Sequence, residues 1–210
     1  MKYSRVLPAA ALIAVLLVST GCYRKQGYIP MNKDILSSSG KLYLVPLGDF
    51  SAELARDLAA FYRKKYKLTV ETLPNVPLSQ AAMNPKRRQL IAEAAIEILK
   101  EAHPDLKNDP RALVIGLTNR DMYIAKYNWQ FSFSWRDDEK YAVVSSRRMG
   151  EPHSWGQRIT GDVILARLRK MVTKNIGLLY YDLQPSDNPR SVLYRKVGGV
   201  KDLDYMGEDF

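Results

Sequence analysis

The run Ala112-Leu113-Val114-Ile115-Gly116-Leu117-Thr118 is apolar from end to end except for its closing threonine, and it lies between Pro110 and a polar turn. Such continuity, without alternation, predicts a strand covered on both faces, as in the interior of a parallel sheet. The rest of the chain supplies what would cover it. Lys41 to Gly48 (KLYLVPLG) is a second short apolar run, and Leu68 to Leu73, closed by Pro74, reads as a third strand. Between them Ser51 caps a helix through about Tyr66, with Leu54, Leu58 and Phe61 on its inner face. Asn84 and Pro85 open a helix expected from Lys86 to Ala102, with Leu90, Ile91, Ala94, Ala95 and Ile98 as its apolar stripe. Gln130 to Trp135 and Tyr141 to Ser146 are β-rich, with Asp137-Asp138-Glu139 as a hairpin turn. Thr160-Gly161-Asp162 starts a long helix to about Tyr181, buried through Ile164, Leu168, Met171, Val172 and Leu179. Strands alternating with helices in this order predict an α/β fold, a two- or three-layer sandwich on a mostly parallel, twisted sheet.

The start of the chain reads differently. Lys2 and Arg5 precede an apolar run from Ala9 to Val18, and Val18-Ser19-Thr20-Gly21-Cys22 follows as a cleavage box. The run is short for a membrane span and ends in small residues before cysteine, the pattern of a lipoprotein signal. An ordinary anchor helix with an incidental cysteine is the plainer alternative. On the first reading residues 1–21 are removed, Cys22 is lipidated, and Tyr23 after it favours the periplasmic side of the outer membrane in a cell that has one. Residues 22–40, ending in Ser37-Ser38-Ser39-Gly40, suit a flexible tether, and 41–210 form the domain. Cys22 is the only cysteine, so neither a disulfide nor a thiolate metal cluster is expected in the domain. The formal charge of +10 fits an anionic envelope surface, or simply a solvated basic one. An exported lipoprotein rarely meets nucleic acid, which is not expected as a partner.

Residues 174–194 end in Asn188-Pro189-Arg190-Ser191-Val192-Leu193-Tyr194. This segment resembles the archaemetzincin active site, which reads HExxHxxGxxHC and then NPxCVM. Further landmarks stand in the family's order: Val45-Pro46-Leu47-Gly48, Leu73-Pro74, Asn84 to Gln89, Ile115 to Tyr123, and Ala142 to Arg148. The resemblance spans about residues 41–210 and implies a metzincin-like fold. In such a site two histidines one helical turn apart and a third beyond the turn hold zinc, while the glutamate acts on the bound water. Here the ligands are replaced. In one register Lys174 and Leu178 stand at the paired histidines and Asn175 at the glutamate. In the other, anchored on Asn188-Pro189, the three histidine positions hold Asn175, Leu179 and Pro185, and Ile176 takes the glutamate's place. An ammonium, an aliphatic side chain or a proline cannot stand in for imidazole, and one amide oxygen is a weak zinc ligand. The family also holds a second zinc on four cysteines. Ser186 and Ser191 occupy the first pair of those positions, and the terminal CxxC is not met before Phe210. Leu193 replaces the methionine of the family's tight turn at nearly constant volume. Neither a metal nor a cofactor is therefore expected.

The remaining candidates form a cleft on this scaffold. Lys174 and Asn175 make a small polar site for an anionic ligand such as a peptide carboxylate, or else a hydrogen-bonded core asparagine beside a snorkelling lysine. Trp129, Phe131, Phe133 and Trp135 alternate, which predicts one face of a strand, lining a peptide groove or packing in the core. Leu193 and Tyr194 complete the candidate cleft. His103 and His153 show no metal-ligand spacing, Ser134, Ser145 and Ser146 have no His/Asp constellation around them, and no phosphate-cradling glycine loop is present. The expectation is an envelope lipoprotein that retains a peptidase scaffold without its chemistry and binds a peptide or envelope partner. A peptidase with a rearranged site and a structural envelope protein are the alternatives, and oligomeric state is left open.

Overall fold

The computed structural model describes residues 40–137 and 140–210. The signal sequence, Cys22 and the tether up to Ser39 lie outside the described residues. The domain's first strand, β1 (Lys41–Leu47), begins immediately after them.

The apolar run becomes β5 (Ala112–Thr118), every residue of which is buried. It lies at the centre of a five-stranded sheet of order β2-β1-β5-β8-β7, with β2 at Thr69–Thr72, β7 at Ser134–Arg136 and β8 at Tyr141–Ser145. All neighbours are parallel except β7, which pairs antiparallel with β8, while Asp138 and Glu139 of the expected hairpin turn lie outside the described residues. Alternation along the strands builds two cores. Leu113, Ile115 and Leu117 join Leu42 and Leu44 on one face, while Ala112 and Val114 join Tyr43, Val45 and Leu47 on the other. A Cβ at Gly116 would lie 2.8 Å from both Leu47 Cδ1 and Leu99 Cδ1, so the absent side chain is what lets the second layer close onto the strand.

Helices cover both faces, giving three layers. The first face carries α1 (Ala52–Tyr66), where Ser51 Oγ accepts from Leu54 N at 3.2 Å as the sequence predicts. Its inner face is centred on Ala55, Leu58, Ala59 and Tyr62, with Leu54 and Phe61 at the margin. The opposite face carries α2 (Ala92–Ala102) and the short α3 (Pro104–Asn108). A smaller sheet, β3 (Met83–Asn84), β4 (Gln89–Ile91) and β6 (Met122–Tyr123), lies beside them.

Two expectations need correction. The helix expected from Lys86 starts only at Ala92, and its buried residues are Ala92, Ala95, Ile96 and Leu99. Asn84 Oδ1 accepts from the amides of Lys86 and Arg87, and Arg88 turns to φ 55°. Gln89 is then buried, donating to Asp121 Oδ2 and to the Gln130 carbonyl, both at 2.9 Å. Partners distant in sequence thus convert the apparent first helical turns into a turn and a strand. The aromatic row is also not one face of a strand, because only Ser134–Arg136 are extended. Phe131 and Phe133 pack on the first core and Trp135 on the second, while Trp129 is exposed and stacked on Tyr127 with ring centres 4.7 Å apart.

The long helix is α4 (Gly161–Asn175), capped by Thr160 and prolonged by one wide turn, Ile176–Tyr180. Leu168, Met171, Val172 and Leu179 are buried as expected, and Ile164 is half-buried. A last helix, α5 (Val200–Tyr205), packs against it. Among the described residues no helix is long and apolar enough to cross a membrane.

Candidate functional site

The C-terminal end of α4 faces the segment entering β7 across a cleft of about 880 Å³. Trp129, Phe131, Phe133, Lys174 and Asn175 all line it, with Tyr127, Trp135 and Met171. Leu193 and Tyr194 do not. Leu193 is buried in a small cluster with Leu178 and Val192, and the Tyr194 side chain packs on the first core. Pro185 is exposed on the loop after the helix. Arg136, Arg195 and Lys196 also line the cleft, although sequence reasoning did not select them. Among the described residues no carboxylate contributes to its wall.

Lys174 is 7% exposed, and its Nζ donates to the Tyr194 carbonyl. Burial, with the Arg136 cation nearby, pushes its amine down to about 8. Asn175 is more deeply placed. Its Nδ2 donates to Ser134 Oγ and to the Met171 carbonyl, both at 2.8 Å. Its Oδ1 is buried without a hydrogen-bond partner.

Backbone geometry bears on the two registers. The wide turn ends at Tyr180, and two residues on Asp182 has a left-handed φ of 50°. Asp182 stands seven residues after Asn175, the interval between the first histidine and the glycine of HExxHxxG, and a left-handed backbone is a conformation that glycine commonly serves. This supports the register anchored on Asn188-Pro189. Asn175, Leu179 and Pro185 then occupy the histidine positions, and Ile176, buried in the first core, takes the glutamate's. One asparagine, a buried leucine and an exposed proline do not fit zinc. Nor do other residues compensate, since no three His, Cys, Asp or Glu side chains converge among the described residues. His103 caps the end of α2 and His153 places Nδ1 2.5 Å from Asp204 Oδ2, and neither lines the cleft.

The turn that follows keeps its shape by other means. Ser186 Oγ accepts from Asn188 N, and Ser191 Oγ from Leu193 N, each at 3.1 Å. Ser186 N donates to the Leu193 carbonyl at 2.9 Å, closing the loop. The two serines therefore serve as main-chain acceptors where the resemblance implies metal-binding thiolates, and hard hydroxyls committed in this way do not fit structural zinc. Leu193 packs beneath the helix at Gly177, where a Cβ would lie 2.7 Å from Leu193 Cδ2 and 2.5 Å from Phe210 Cε1.

A model described as peptidase family M54 matches residues 47–204. The chain belongs to peptidase family M54. The archaemetzincins of Natronomonas pharaonis and Haloquadratum walsbyi are each 28% identical to it over 152 residues, covering 71% of this chain and 83% of theirs. Among solved structures, the zinc-dependent peptidase from Methanocorpusculum labreanum matches with a TM-score of 0.66 at 18% identity, covering 80% of this chain and 95% of its own. The archaemetzincin from Archaeoglobus fulgidus, crystallised with malonate, gives 0.62 at 23% identity and covers 81% and 94%. These structural likenesses establish the M54 fold for the domain, with its mostly parallel sheet, and nothing finer.

Proposed function

We propose that this M54-family chain is an envelope lipoprotein, held at a membrane through Cys22, whose cleft binds a peptide-like or envelope partner without hydrolysing it. The observation that carries the reading is the content of the zinc-binding helix and turn, Asn175, Ile176, Leu179 and Pro185. Metallopeptidase chemistry needs a metal to polarise the carbonyl and generate hydroxide, and a carboxylate to manage the proton. Ile176 has no proton to move, and Lys174, Asn175 and Ser134 in the cleft wall supply neither a carboxylate nor an imidazole. A cleft kept open while its chemistry is replaced suits recognition.

Full-length chain in detergent, incubated with a peptide library and added zinc, is expected to leave every peptide intact over a day, as shown by mass spectrometry. Cleavage that a chelator abolishes would overturn the non-catalytic half of the reading. For the other half, Cys22→Ser is expected to shift the chain from the membrane fraction to the soluble one. Retention in the membrane fraction would count against lipidation.

A further inference from the structure

We propose that the cleft recognises the carboxylate of a peptide, with Lys174 as the buried anchor, Arg195 and Lys196 as outer contacts, and the Tyr127-Trp129 pair as a platform for the adjoining side chain. The inference rests on the non-catalytic reading above and names the chemistry of the ligand.

The charge of the wall is one-sided. Arg136, Lys174, Arg195 and Lys196 line it, with no aspartate or glutamate among the described residues. Arg195 does reach Asp187 at 3.1 Å, but both side chains are mostly exposed, and such pairs contribute little and re-form easily. Lys174 differs from the other buried lysines of the domain. Lys170 donates to the carbonyls of Leu203 and Asp204, at 2.8 and 3.4 Å, and Lys140 to those of Leu106 and Asp109, both at 2.5 Å. Those two ammonium groups are tied into the frame. Lys174 makes one such bond, lines the cleft, and has no carboxylate within ion-pair distance among the described residues. An ammonium carries three donors, and burying it without an opposite charge is costly.

A second polar group stands at the same wall. Asn175 Oδ1 is a buried acceptor with no partner, while the Nδ2 of the same side chain is fixed by Ser134 and Met171. A donor-bearing cation and an unpartnered acceptor in the same wall match a group that presents a carboxylate oxygen and an amide N–H, as the end of a peptide does. Tyr127 and Trp129, 38% and 55% exposed, are stacked at 21° at the edge of this site. Exposed stacked rings offer an apolar face at small entropic cost.

The test uses full-length chain in detergent and three fluorescein-labelled hexapeptides of alanine and leucine, read by anisotropy. The first has a free C-terminal carboxylate, the second a C-terminal amide, and the third an amide end with one internal glutamate. The free acid is expected to bind at least tenfold more tightly than the plain amide. Binding of the glutamate peptide like the free acid shows that the site takes carboxylates of either origin, and binding like the plain amide assigns it to chain termini; both support the proposal. Lys174→Met is expected to erase the preference for acid over amide. The surface pair Arg195→Ser with Lys196→Ser is expected to weaken the free acid about tenfold, and Lys64→Met, exposed on α1, to leave it unchanged. Equal binding of acid and amide, or none, overturns the carboxylate assignment and leaves the non-catalytic reading standing. Cleavage of a peptide overturns that reading itself.

Discussion

Lys174→Met is expected to stabilise the fold by about 2 kcal/mol at pH 7, the reverse of most substitutions at a buried position. The folded protein holds the Lys174 amine at about 8 against an ordinary 10.5. At roughly 1.4 kcal/mol per unit, keeping this group charged at neutral pH costs about 3 kcal/mol. Methionine is close in length, fills the site without charge, and gives up only the bond to the Tyr194 carbonyl, worth about 1 kcal/mol. The pH dependence has a definite sign. Between about 8 and 10.5 the unfolded chain still holds the lysine proton and the folded chain has released it, so the Lys174 contribution to stability rises with pH across that window. Denaturant unfolding of both proteins at pH 7 and pH 10 should show a large gap at the lower pH that narrows at the higher. Arg136 on β7 and Arg195 and Lys196 on the facing loop are common to both proteins, so the difference isolates Lys174. A variant less stable than the parent at pH 7 would show that the burial argument is wrong. Greater stability together with lost carboxylate preference is the signature of a residue retained for a ligand at the expense of the fold.

Asp204→Ala is expected to have the opposite and larger effect, a loss of about 3–5 kcal/mol. Asp204 on α5 accepts from Nε and Nη2 of Arg167, both at 2.7 Å, and the Arg167 side chain on α4 is 1% exposed. Arg167 Nη1 also donates to the Met149 and Glu151 carbonyls at 2.5 and 2.7 Å, so one guanidinium joins two helices and the loop after β8. Removing the carboxylate leaves that cation buried among carbonyl groups and releases His153 and Gln157, which also contact Asp204. Hydrogen bonding from Arg167 holds the Asp204 carboxyl well below the usual carboxylate range. Its folded pKa is depressed, so its contribution is complete above the ordinary value of 3.8 and is lost only as the pH falls below it toward the folded value. Urea unfolding at pH 7 measures the loss directly. A change under 1 kcal/mol would mean that the pair adds little to cohesion between α4 and α5.

The parts of this molecule that could be read from the sequence are those whose signal is local. β5 and β1 announce themselves as uninterrupted apolar runs, and the Ser51 and Thr160 caps mark where their helices begin. The stretch before α2 misled because Leu90, Ala94 and Ile98 have helical spacing, while Asn84, Gln89 and their partners at Asp121 and Gln130 impose a turn and a strand. The aromatic row misled in the same way, since alternation predicts one face only where the backbone is extended. At the site, Lys174 and Asn175 were marked by the motif in which they stand. Arg136, Arg195 and Lys196 carry no such mark, because an arginine facing a cleft and one facing solvent look alike in sequence. The choice of register depended on the left-handed Asp182, a conformation that side chains other than glycine seldom announce.

We propose that the M54 scaffold has here been separated from its metal chemistry. This claim is tested most directly by purifying the full-length chain with zinc supplied throughout, dialysing briefly against a chelator, and measuring metal per chain by mass spectrometry. The replacement of the ligand positions by Asn175, Leu179 and Pro185 predicts far less than one zinc per chain, whereas one zinc per chain retained through dialysis would contradict the account.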